Sequence, residues 1–150
     1  MNAELHQLLI KNDIRGEWEY PPDANWSREL SRVRDVIPAL ESVLRSSLQL
    51  DDAIQDAPFF ADIGVLEEQP TASGAIHQHY RICFRFSWFG GMFTIWGDNT
   101  ADYNTNEAVR VLSDRGYTFI PASELDEPYD GVNEPYRKGL TWWVRYFDWL

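Results

Sequence analysis

The residues with the most chemical potential are strung at alternate positions along one short stretch: His77, His79, Arg81, Cys83 and Arg85. Side chains two apart on a strand point the same way, so His77 and His79 could share a zinc ion. A third ligand is needed, and the sequence offers only loose candidates such as Asp62 or His6, while the neighbouring arginines would repel a cation; no metal is expected. Arg81 and Arg85 could lower the pKa of Cys83. A catalytic thiol also needs a base and an oxyanion hole, which nothing in the sequence identifies, so Cys83 reads as a small half-buried strand residue. There is no phosphate-binding glycine loop, no His-Glu-x-x-His, no Cys-x-x-Cys and no nucleophile elbow. The polar face of His77, His79, Arg81 and Arg85, joined by Trp96, stays open as the surface of a small enzyme or ligand-binding protein.

Carboxylates say more through their distribution than through any pair. The chain has 24 Asp and Glu against 13 Lys and Arg, a formal charge of −11. Between Arg45 and Arg81 there is no Lys or Arg, while Asp51, Asp52, Asp56, Asp62, Glu67 and Glu68 fall in that window. A second block, Glu124, Asp126, Glu127, Asp130 and Glu134, lies among Pro128, Gly131 and Pro135 and reads as a surface loop. Such a surface disfavours nucleic acid, whose phosphates are bound by displacing counterions with basic side chains. Set beside an aromatic share of 15%, it suits a basic protein partner, with charge for steering and aromatics for anchorage. The expected partner-binding residues are Asp126, Glu127, Tyr129, Asp130, Glu134 and Tyr136. The leading expectation is therefore a non-enzymatic binding protein, in its narrower form an immunity or inhibitor protein against a basic toxin. A third reading is a subunit that associates with itself through its aromatic C-terminus.

The elements that must position these groups are legible from periodicity. A short helix is expected over Ala3 to Lys11, then a loop in which Trp18 and Tyr20 fold back on the body. Trp26, Leu30, Val33, Ile37, Leu40, Leu44 and Leu48 draw one apolar stripe along a helix that Pro38 kinks without splitting. Period two then takes over: a strand from Phe59 to Glu67, and a second with Ile76, Tyr80, Ile82, Phe84, Phe86 and Trp88 on its apolar face. Gly90-Gly91 marks a two-residue hairpin turn. That turn sets Trp88 opposite Phe93, Phe86 opposite Ile95, Ser87 opposite Thr94 and Arg85 opposite Trp96, with a cation–π contact between the last two.

Asn104 and Glu107 form a capping box for a further helix, which ends at Arg115-Gly116. Tyr117 to Ile120 follows as a short strand, allowing a parallel crossover. Leu140 to Leu150 reads as a closing strand. The sum is one α+β domain over residues 1–150, with N-terminal helices on a mostly antiparallel sheet in the order α-α-β-β-β-α-β-β. One cysteine cannot make an intrachain disulfide, and the N-terminus is too charged for a leader or a membrane span. A reducing cytoplasmic setting, with no cofactor and no membrane, is the expectation.

Overall fold

A computed structural model describes residues 1–51, 60–135 and 138–148. Tyr136, and with it Phe59, Asp52, Asp56 and Trp149, lie outside these. The chain opens with helices α1 (Ala3–Asn12) and α2 (Trp26–Leu44). Strands β1 (Gln49–Asp51), β2 (Phe60–Pro70), β3 (Ile76–Ser87) and β4 (Met92–Trp96) then form an antiparallel meander. Helix α3 (Thr105–Ser113) leads to β5 (Thr118–Phe119), which lies parallel to β4, and α4 (Trp142–Phe147) closes the described chain. The five strands stand in sequence order, β1 to β5. This is the α+β arrangement expected, with one edge strand, β1, that three residues are too few to announce.

Local rules account for most boundaries. Asn2, Asn25 and Asn104 each cap a helix by accepting from the amide three residues on, at Leu5, Arg28 and Glu107. The expected capping box is only half made, because the Glu107 carboxylate turns forward to Arg110. Helix α2 runs through Pro38 as one element and buries Leu30, Val33, Val36, Leu40 and Leu44. With α3 it covers the sheet face of Phe84, Phe86 and Phe93, where Phe86 and Phe93 pack with Tyr117 and the Arg32 guanidinium lies 4.9 Å above the Tyr117 ring.

The hairpin forms, but two residues out of the expected register. Phe86 pairs with Phe93, Arg85 with Thr94, Phe84 with Ile95 and Cys83 with Trp96. The strands part after Ser87, leaving Trp88, Phe89, Gly90 and Gly91 as the loop. Both glycines take φ near +60°, and an even shift leaves every side chain on its expected face. Arg85 still lies over Trp96, 5.2 Å from the ring centroid, now as a diagonal neighbour.

Two expectations are overturned. The C-terminal run is a helix: Thr141 caps α4, and Trp142, Val144, Arg145, Tyr146 and Phe147 are all buried. A helix buried on every side has no polar stripe, so its aromatic content reads as strand. The polar face of β3 is also split. Val65 pairs with Ile82 but Leu66 with Tyr80, which leaves Arg81 as the extra residue of a bulge. Past the bulge the faces exchange. Tyr80 packs on Trp96, the partner of Cys83, whereas Arg81 reaches Asp102 in the turn before α3.

Candidate functional site

The acidic loop is built from the inside outward. Backbone bonds lay it along the start of α4: the Trp143 amide donates to the Leu125 carbonyl, Trp142 to Glu127, and Tyr129 to Leu140. Beneath it lies Asp13, just beyond α1, with its carboxylate fully enclosed. Oδ1 accepts from Arg145 Nε at 2.7 Å and Asn133 Nδ2 at 2.9 Å. Oδ2 accepts from the Tyr129 hydroxyl at 2.5 Å and the Val132 amide at 2.7 Å. The Asn133 amide donates in turn to the Tyr129 hydroxyl, and Asn133 Oδ1 accepts from the Gly16 amide.

Arg145 completes the knot. Its remaining nitrogens donate to the carbonyls of Glu17 and Trp18, and its guanidinium lies 4.4 Å from the Phe89 ring centroid and 4.9 Å from that of Tyr146. A buried ion pair is tolerable when further hydrogen bonds support it, and here each guanidinium nitrogen and each carboxylate oxygen has a partner. Gly131 passes so close that a Cβ there would fall 2.1 Å from Asp13 Oδ2, so no larger residue fits without opening the knot.

Tyr129 is thus an internal strut, 8% exposed, and not a displayed anchor. Burial raises its pKa, with the Asp13 carboxylate acting in the same direction. The aromatic half of the expected binding loop is corrected accordingly. The carboxylates do face outward: Asp126, Glu127, Asp130 and Glu134 are all exposed. Asp130 accepts from His6 of α1 at 2.8 Å, and this bond holds its pKa below the usual carboxylate value. Glu127 and Glu124 lie near the Met1 amine.

The alternative ligand face comes apart into two places. At one, Arg85 grips both oxygens of Asp62, its cross-strand neighbour on β2, at 2.7 and 2.8 Å, and donates to the Phe147 carbonyl at the end of α4. Burial drives the Asp62 pKa up, against the pull of Arg85. Cys83 lies on this covered face, and burial pushes its thiol well above its ordinary value. At the other, the rings of His77 and His79 stack, and His79 Nε2 lies 3.5 Å from Glu67 and 3.7 Å from Asp98. Arg81 bonds Asp102 there and approaches Glu67. Among the described residues no group of three His, Cys, Asp or Glu side chains is placed to hold a metal ion.

The loop between α1 and α2 behaves as expected in half: Trp18 folds onto Tyr129, while Tyr20 stays exposed. Sequence reasoning missed the Asp13–Arg145 knot altogether. One signal was there to use, a single arginine inside the aromatic run from Trp142 to Phe147. No helix among the described residues is long and apolar enough to cross a membrane. Compared with protein-family models, curated proteins and solved structures, the chain matches none.

Proposed function

We propose that the chain is a binding domain for a basic protein and that the loop from Asp126 to Glu134 is its contact surface. The observation that carries this reading is the loop's two-sided construction. Four carboxylates point to solvent, while the backbone beneath them is tied to Asp13, Tyr129 and the start of α4. A loop already held in one conformation loses little entropy on binding, and its charges speed encounter with a cationic partner. The net charge of −11 favours the same partner chemistry. In the narrower form of the reading, the partner is a basic toxin that the domain neutralises. Self-association through the C-terminal aromatics has less in its favour, since Trp142, Tyr146 and Phe147 are interior.

The test is a residue-resolved titration of the full chain with an oligo-arginine peptide. Amide shifts should concentrate at residues 124–134 and fade when Asp126, Glu127, Asp130 and Glu134 are replaced together by Asn or Gln. Shifts spread evenly over the acidic residues of β2 and the rest of the surface, and insensitive to the four substitutions, would remove the loop from the proposal.

A further inference from the structure

A cavity of mixed charge lies beside the end of α1, lined by residues other than the acidic loop's carboxylates. Its walls are the end of α1, the first turns of α2 and the β3–β4 loop, and its volume is about 300 Å³, at the lower end of the range of small-molecule sites. Lys11, Arg28 and Arg32 face only Asp23 and Glu29 there, a local excess of cations in a chain with nearly twice as many acids as bases. Glu29, 8% exposed, holds both arginines in place: Arg28 Nε donates to Oε1 at 3.0 Å and Arg32 Nη1 to Oε2 at 2.9 Å. Each guanidinium has further N–H donors that this carboxylate does not use.

Two observations beyond charge point to a ligand. Trp88 lines the cavity, is only 7% exposed, and its indole Nε1 has no acceptor among the described residues. Buried donors are normally paired, so one that is not marks a place where polar chemistry is incomplete. The apolar surface also converges here. Of the four exposed large hydrophobics among the described residues, Ile14 lines the cavity, Trp26 packs edge-on against Trp88, and Tyr20 precedes the lining residue Pro21. The start of α2 is already capped by Asn25, so the helix terminus is not what makes the site.

We infer that this cavity binds a small organic anion, with a phosphate or carboxylate head between Lys11 and Arg28 and an apolar body against Ile14, Pro21 and Trp88. The cavity abuts the Asp13–Arg145 knot through Ile14 and Phe89, but its charged groups are not the loop's carboxylates, so the two binding proposals are tested by different substitutions. Phenyl phosphate and benzoate serve as probes of the two heads, with benzyl alcohol as the neutral control and inorganic phosphate as the head alone, in titrations of the full chain followed by amide shifts.

Saturable shifts at residues 11–14, 24–32 and 88–91 are expected for at least one organic anion, and not for benzyl alcohol. Lys11→Gln with Arg28→Gln should weaken that binding about tenfold or more, because the anionic head loses both cations. Both side chains are exposed, so an unchanged melting temperature verifies folding. Asp126→Asn with Glu134→Gln should leave probe binding as it was. Inorganic phosphate binding as tightly as phenyl phosphate would overturn the apolar half of the assignment. Absence of saturable shifts with either organic anion, or shifts that persist in the Lys11/Arg28 variant, would overturn the site.

Discussion

Two arginines hold the C-terminal helix, and they do so on different terms. Arg145, within α4, reaches back to Asp13, and neither side chain has any exposed surface. Arg85, on β3, holds Asp62 and the carbonyl that ends α4, with the pair 11% and 4% exposed. Asp13 accepts from Arg145, Asn133, Tyr129 and Val132, so its charge is met from several parts of the chain at once. Asp62 relies chiefly on Arg85, faces Asp51 across the strand pair, and has its pKa raised by burial. The first pair fixes tertiary structure by joining α1, the acidic loop and α4. The second pairs neighbours set opposite each other by strand register, and reaches α4 through one carbonyl.

The comparison can be broken most forcefully at Arg145. Arg145→Met leaves the enclosed Asp13 carboxylate without its counter-charge and should cost about 3–5 kcal/mol of unfolding free energy in urea denaturation. Adding Asp13→Asn should return part of that loss, because the two residues act as one unit. Arg85→Met should cost less, about 1–3 kcal/mol, because Asp62 is already biased toward taking up a proton. Equal losses for the two arginine variants would erase the distinction.

Acid titration sharpens it. A carboxyl whose folded pKa lies above its unfolded value stabilises the protein below the unfolded value, and that contribution fades as pH rises through the folded pKa. For Asp62 the window opens at the ordinary value of 3.8 and extends upward. The stability of the wild type relative to Asp62→Asn should therefore decline as pH rises through this window, in urea melts taken at successive pH values. A relative stability that instead grows with pH would mean that Arg85 outweighs burial.

These two pairs also mark what a sequence can and cannot announce. Helices α1, α2 and α3, the long strands and the parallel crossover were legible because caps and apolar periods are local. Asp62 opposite Arg85 was within reach once β2 was paired with β3, but the bulge at Arg81 was not, since one unpaired residue leaves no compositional trace. The polar face from His77 to Arg85 was accordingly read as continuous. Helix α4 was hidden by burial on every side. The acidic loop was read correctly in its exposed carboxylates and wrongly in Tyr129, whose partner Asp13 lies 116 positions away in the chain.

The smallest stability effect belongs to the surface. Asp126→Asn with Glu134→Gln should change unfolding free energy by no more than about 0.5 kcal/mol. The same pair should slow association with a cationic partner, by a factor that shrinks as salt is raised. A stability loss comparable to that of Arg85→Met would show that these acids are structural.

The central claim is that the acidic loop is clamped from beneath by Asp13 and Tyr129, and amide hydrogen exchange at Val132 and Asn133 tests it most directly. Their N–H groups donate to Asp13 Oδ2 and to the Tyr129 hydroxyl. Both amides should be strongly protected in the wild type, and Tyr129→Phe should strip protection from Asn133 first. Exchange of both amides at the rate of an open surface loop in the wild type would contradict the account.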